Sequence, residues 1–235
     1  MTDTPRLIEV AFPLKQASLD SVHEKNVRHG HISTLHIWPA RRPLAASRAA
    51  LIATLLPDPG TPEERQKLLE KIGGRVVSRT EKKRVNGKSI EVKREETEGG
   101  VLHWGHEENP DVAWLRAEIR KAHGGRAPRV LDPFAGGGAI PLEAMRLGCE
   151  TTAIDINPVA WFLLKCTLDY PQRLAGKKLP LPEFALRSTE FMAEFQKGSG
   201  KTVGKRKKAG ASQTGMFDAP EVDLAWLVRA LSSIT

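Results

Sequence analysis

The sequence predicts an α/β fold, and three features carry that prediction. Residues 129–170 read as strand, glycine turn, helix, strand, acidic turn, helix, a βαβα unit whose two strands must run parallel. Apolar residues recur at helical spacing in 44–56, 62–72 and 110–123. Two β-prone, charge-rich runs, RVVSRTEKKRV and KSIEVKR, flank Asn86-Gly87, the dipeptide of a type I′ hairpin turn.

Each element has local reasons. The helix at 44–56 follows Pro43 and is stopped by Pro57 and Pro59. The helix at 62–72 ends at Gly73-Gly74, and the one at 110–123 places Val112, Leu115 and Ile119 on one face before Gly124-Gly125. Val130 and Leu131 belong to a short buried strand, followed by a helix from Ala139 to Leu147 that Gly148 caps, and by a second strand at 150–154. Asn157-Pro158 then opens a helix, Asn as cap and Pro at the first position. KGSGKTVGKRKKAGASQTG, from Lys197, is a basic linker expected to be disordered. PEVDLAWLVRALSSIT reads as an amphipathic helix with Leu224, Leu227, Val228 and Leu231 on one side. The organisation expected is therefore an N-terminal domain at 1–60, a charged insertion with hairpin and helix at 61–125, the βαβα unit at 126–196, the linker at 197–218 and a terminal helix at 219–235.

Composition excludes several classes. Two cysteines, Cys149 and Cys166, and no CxxC leave no disulfide framework or cysteine-rich zinc site, which fits a reducing cytoplasm. No apolar run is long enough to span a bilayer, and MTDTPRLIEV is not a signal peptide. A net charge of +8 favours a polyanionic partner such as DNA or RNA. His29, His31 and His36 lack a suitably spaced fourth ligand, so no metal site is expected. His23, Lys25, Asn26 and Arg28 read as a polar surface.

The strongest signal is RVLDPFAGGGAIPLEAMRLGCETTAIDINPVA. Its glycines let a ligand approach backbone amides, and the helix N-terminus behind them favours a carboxylate. Asp155 lies 23 positions after Asp132, where an acidic residue accepts from ribose hydroxyls. A dinucleotide loop needs G-x-G-x-x-G, but position 141 is Pro. Asp132, directly before the loop, would repel a pyrophosphate and suits a ligand carrying an ammonium and a sulfonium. The charge argument thus favours S-adenosylmethionine (SAM) over NAD. GSGKT at 198–202 is not a P-loop, since position 195 is Phe and no apolar strand precedes it.

DPFAGGG is similar to the motif of amino-methylating DNA methyltransferases, which modify the exocyclic nitrogen of adenine or cytosine. The resemblance implies a Rossmann-like fold in which Asp132, Phe134, Gly136 and Gly138 contact SAM, Asp155 holds its ribose and Ile156 lies beside its adenine. HISTLHIWPARRP extends it: Trp38, Pro39, Ala40 and Arg41, with His36, match the H-x-[YW]-P-A-[KR] string that packs against the methionine end of SAM. Residues 7–59 resemble the N-terminal domain, otherwise uncharacterised, of large bacterial adenine-specific DNA methylases. The likeness covers roughly 6–60 and 100–170, and implies N6-adenine methylation by direct transfer, in a restriction-modification or phage-defence setting.

The family's [DNS]-P-P-[YFW] catalytic loop is missing, because the chain has no Pro-Pro dipeptide, and no catalytic residue is identified. The fold is accordingly expected to be incomplete. Three accounts follow: a fragment of a longer enzyme, one subunit of a split enzyme whose partner polypeptide carries the loop, or a complete enzyme using unrecognised residues. The alternatives from other classes are a noncatalytic nucleic-acid-binding or assembly subunit and an NAD-dependent oxidoreductase.

Overall fold

The computed structural model describes residues 4–27, 31–34, 36–85, 88–174, 178–180, 187–198 and 221–223. The chain divides into two compact units, Met1–Leu168 and Asp169–Thr235, and the fold is mixed α/β.

The first unit opens with α1 (Leu7–Val10) and α2 (Leu14–Glu24), then a 3-10 turn at Ile32–Thr34. Helix α3 (Leu44–Leu55) is its centre. The helix is apolar nearly all round, as a helix buried on most sides must be. Ala45, Ala49, Ile52 and Ala53 are buried, and Leu7 N–H donates to Leu56 O at 3.0 Å where the chain returns beside its own start. Helix α4 (Pro62–Gly73) begins as its sequence dictates, with Thr61 Oγ1 accepting from Glu64 N–H and Pro62 at the first position.

Strands β1 (Arg75–Val85) and β2 (Lys88–Glu98) form the expected antiparallel hairpin, in register from Arg75↔Glu98 to Val85↔Lys88. The Asn86-Gly87 turn itself lies outside the described residues. At the base of the hairpin two glycines meet back to back. A Cβ on Gly74 would stand 2.5 Å from Glu98 O, and one on Gly100 would run into the Gly74 amide. Val101 N–H then donates to Ile72 O at 2.8 Å, so the chain leaves the hairpin where it entered. Beside this base, buried Asp20 of α2 accepts from Thr97 and from His103 Nδ1, and the His23 ring lies 4.3 Å from that of His103. His23 is therefore part of a packed histidine cluster rather than simply a solvated surface.

Helix α5 (Pro110–Ala122) buries Val112, Leu115 and Ile119, with Asn109 Oδ1 capping Asp111 N–H. Then come β3 (Arg129–Asp132), α6 (Ala139–Arg146), β4 (Glu150–Ala153) and α7 (Pro158–Leu164), followed by a π-helical turn at Lys165–Asp169. β3 and β4 pair in parallel, Arg129↔Glu150 to Asp132↔Ala153. Asn157 Oδ1 caps α7 through Val159 N–H at 2.9 Å, with Pro158 at the first position, as the sequence indicates. The main core joins α1, α3, α5 and α6 through Leu7, Ile52, Leu115, Ile119 and Leu147, and Val130 packs against it.

One expectation about this unit fails. Leu131, read as part of a buried strand, is 62% exposed. Among the described residues the sheet has two strands, and the helices cover the face of Val130 and Ala153, leaving Leu131 on the other face.

The second unit contains α8 (Tyr170–Leu174), β5 (Lys178–Pro180), α9 (Thr189–Gly198) and β6 (Glu221–Asp223), with β5 and β6 antiparallel. Two further expectations change here. Residues 221–223 are a strand, so no helix spans 219–235. Lys197 and Gly198 end a helix instead of beginning a linker. The compact unit bearing the glycine turn also closes at Leu168, well before 196, because Leu164 and Leu168 are the last residues of its apolar cluster with Ala135. The rest of the linker, the GSGKT stretch beyond Gly198, Arg28, His29, and Leu224, Leu227, Val228 and Leu231 lie outside the described residues.

Candidate functional site

The glycine loop joins β3 to α6. Asp132, at the carboxyl end of β3, is 8% exposed, and its Oδ1 accepts from Phe134 N–H at 3.1 Å. Gly136 and Gly138 both have positive φ, and Gly138 is the N-cap of α6. Asp155 clamps the loop from the end of β4: Oδ2 accepts from Gly136 N–H at 2.7 Å and Oδ1 from Asn157 N–H at 2.8 Å. One carboxylate therefore fixes both the glycine turn and the start of α7 and keeps lone pairs for a hydroxyl donor.

About a hundred residues earlier in the chain, the Trp38–Arg41 segment folds onto this loop. A Cβ on Gly136 would come within 2.8 Å of Trp38 Nε1, and one on Gly137 within 3.1 Å of Arg41 Nε and Nη2. Glycine is thus required here for close side-chain approach as well as for φ. Trp38, Ala40, Arg41, Arg42, Asp132, Phe134, Gly136 and Asp155 are among the residues lining a cavity of about 420 Å³, within the roughly 300–1,000 Å³ of small-molecule sites. Of the other residues expected here, Pro39 and Gly138 do not line it. Gly138 instead shapes the helix start, where a Cβ would lie 3.0 Å from Leu164. Ile156 is 99% exposed, clear of the cavity, and Phe134 is 87% exposed at its mouth.

The cavity carries charge of both signs. Arg41 Nη2 donates to His36 O at 2.9 Å, while its Nε and Nη1 are buried with no hydrogen-bond partner among the described residues. Burial moves the Arg41 guanidinium below its ordinary value, with Glu24 opposing, and the group stays charged. A guanidinium, Arg41, and a buried carboxylate, Asp132, thus both line the cavity.

Three supporting residues escaped the sequence reading. Glu24 of α2 caps α3 from outside: Oε1 accepts from Leu44 N–H at 2.9 Å, Oε2 from Ala45 N–H at 3.1 Å, and His31 Nε2 lies 2.8 Å from Oε1. His31, weighed above as a metal ligand, is committed to this pair. Burial alone would raise the Glu24 carboxyl, but His31 and the two amides more than offset it and hold it below its ordinary value. A depressed folded-state value contributes stability above about pH 4.5, lost as pH falls through the folded value. Denaturant titrations across pH 3–7 should therefore show a flatter acid limb for Glu24→Gln than for the parent. Equal acid limbs would show that Glu24 does not carry this dependence.

The other two are Arg48 of α3 and Glu143 of α6, 3% and 0% exposed. Arg48 Nε donates to Glu143 Oε2 at 2.5 Å and Nη2 to Oε1 at 3.2 Å, while Nη1 donates to Val101 O. This fork ties the N-terminal segment to the helix behind the glycine loop. Neither residue belongs to a motif; the only signal was a charge on an otherwise apolar helical face.

Cys149 is buried, and its thiol is pushed up to about 11, so it is a packing group and no nucleophile. Among the described residues no group of three His, Cys, Asp or Glu side chains is placed to hold a metal ion, and no helix is long and apolar enough to cross a membrane.

No curated protein and no solved structure matches the chain. Residues 11–74, running from Ala11 to the end of α4 and the first glycine of the hairpin base, are similar to a family described as a protein of unknown function, DUF1156.

Proposed function

We propose that this chain is the cofactor-binding part of a SAM-dependent methyltransferase acting on an exocyclic amine of DNA, the N6 of adenine. The observation that carries this reading is the seating of Trp38 and Arg41 on the glycine loop, which makes Arg41 and Asp132, a cation and a carboxylate, lining residues of one cavity. That donor set fits a ligand bearing both a carboxylate and cationic centres, and disfavours a pyrophosphate, which Asp132 would repel. When bound, SAM supplies a methyl group on a positively charged sulfur. Arg41 is the residue for its carboxylate, Asp132 for its positive charge, and Asp155 for its hydroxyls, while Trp38 and Phe134 offer flat apolar surface. The hairpin, with eight Lys or Arg against five Glu between Arg75 and Glu98, adds sequence-independent attraction to a phosphate backbone.

The chain contains no Pro-Pro loop to hold a flipped base, so the acceptor-binding groups come from residues other than those in the motifs recognised here. That same absence favours a second reading, a noncatalytic nucleic-acid-binding or assembly subunit that retains the fold. Titration calorimetry with SAM, and NAD as control, tests the cofactor assignment. Micromolar SAM binding is expected. Asp132→Asn keeps the Phe134 hydrogen bond but removes the charge, and is expected to cost about 1.5–3 kcal/mol, roughly 10–100-fold in Kd. A well-folded chain that ignores SAM, or takes NAD instead, would sink the reading.

A further inference from the structure

The wall that Trp38 and Arg41 form is held from outside the cavity. Among the described residues, every hydrogen bond made by residues 36–42 stays inside that stretch: Arg41 N–H donates to Trp38 O at 3.2 Å and Arg41 Nη2 to His36 O at 2.9 Å. No such bond joins the stretch to the glycine loop. The seat of Trp38 on Gly136, and of Arg41 on Gly137, therefore depends on packing and on where the two ends of the stretch are fixed.

One carboxylate fixes both ends. On the amino side, His31 Nδ1 accepts from Ser33 N–H at 3.1 Å, which leaves the ring proton on Nε2, 2.8 Å from Glu24 Oε1. On the carboxyl side, Leu44 N–H donates to the same oxygen at 2.9 Å and Ala45 N–H to Oε2 at 3.1 Å. The chain between His31 and Leu44 is thus drawn shut at its neck by Glu24. The neck rests on the helix behind the glycine loop, since Ile32 and Leu44 pack with Ala139, the first residue of α6 and a lining residue of the cavity. Trp104 meets the His31 ring edge-on, 4.7 Å between centroids. His31 and Glu24 are 2% and 7% exposed, and neither lines the cavity. A buried acceptor with three donors on it keeps its geometry, because each donor released would be left dry.

We propose that Glu24, acting with His31, is a positioning residue for the cavity: it sets the place of Trp38 and Arg41 over the glycine loop without touching what binds there. The consequence for SAM rests on the reading under Proposed function; the consequence for the loop does not. Charge and position predict opposite signs. Glu24 opposes the burial of Arg41 electrostatically, so loss of its charge alone would strengthen the pull of Arg41 on a ligand carboxylate, whereas loss of the neck weakens it.

The side-chain indole signals in proton–nitrogen NMR read the loop directly, with that of Trp38 identified by its loss in Trp38→Phe. Glu24→Ala also uncaps α3, so His31→Ala is the deciding variant: it opens the amino side of the neck and leaves the Leu44 and Ala45 bonds in place. In His31→Ala the Trp38 signal is expected to move towards that of an unstructured chain while the Trp114 signal, on α5, stays. His31→Gln, whose amide reaches the oxygen that Nε2 reached, is expected to restore it. A folded His31→Ala chain with Trp38 unmoved overturns the proposal, and so does a Trp114 signal that moves equally, which marks general loosening. Titration calorimetry with SAM is expected to show roughly tenfold weaker binding in His31→Ala and in Glu24→Ala, recovered in His31→Gln. Unchanged binding with Trp38 released, or tighter binding in Glu24→Ala, overturns the positioning role. A parent chain that ignores SAM while Trp38 still moves in His31→Ala removes the cofactor reading and leaves the positioning of the loop standing.

Discussion

Replacing Glu143 by alanine is expected to destabilise the first unit by about 3–5 kcal/mol, because it strands a buried guanidinium. Arg48 is 3% exposed, and its remaining acidic neighbour, Glu107, lies 3.6 Å away and is partly solvated. Burial alone would lower the Arg48 guanidinium; Glu143, then Glu107, raise it above its ordinary value. Arg146 would also lose its 2.5 Å contact with Glu143. Arg48→Met with Glu143→Leu should recover most of the loss, since the buried charges leave together and the volume is kept. Urea unfolding followed by far-UV circular dichroism measures both. An alanine variant within about 1 kcal/mol of the parent would mean that the pair is solvated in the protein and does not join α3 to α6.

The second large effect falls at the hairpin base. Gly100→Ala is expected to cost about 3 kcal/mol or more. Its φ of 71° strains any side chain, and the added Cβ meets the backbone of Gly74 and Gly73, which has nowhere to go. Gly99 separates the two contributions. Its φ is 77°, but a Cβ there meets nothing within 4 Å, so Gly99→Ala should cost only the dihedral strain, about 1–2 kcal/mol. Thermal unfolding of the pair decides the matter: equal losses would show that the packing of the two glycines contributes nothing.

Local chemistry was legible in the sequence. Asn157 caps the helix it precedes, and the two β-prone runs on either side of Asn86-Gly87 pair as the expected hairpin. The glycine loop and the Trp38–Arg41 string could be paired because each carries a motif. What stayed hidden depends on three-dimensional neighbours. Nothing in ASRAAL says that Arg48 will meet Glu143, 95 positions away. Nor does a VHEK string say that Glu24 will cap a helix twenty residues on. The exposure of Leu131 was misread because an apolar strand residue signals a buried face, and whether that face is covered depends on strands and helices that local pattern does not supply. Ile156, which the family resemblance puts beside the adenine of SAM, is 99% exposed.

The back-to-back glycines have a bearing on how such a chain can vary. Because Ile72 and Val101 are hydrogen-bonded neighbours, the hairpin leaves the core where it entered, and near its base Thr97 and Glu95 hold it to α2 through Asp20 and Lys15. A ribbon attached in this way can be lengthened, shortened or exchanged at its tip without re-threading the core or altering the cavity beside the glycine loop. The far end of the hairpin, between Val85 and Lys88, is then a natural point for grafting a reporter or an affinity handle, provided that Gly74 and Gly100 at its base are left untouched.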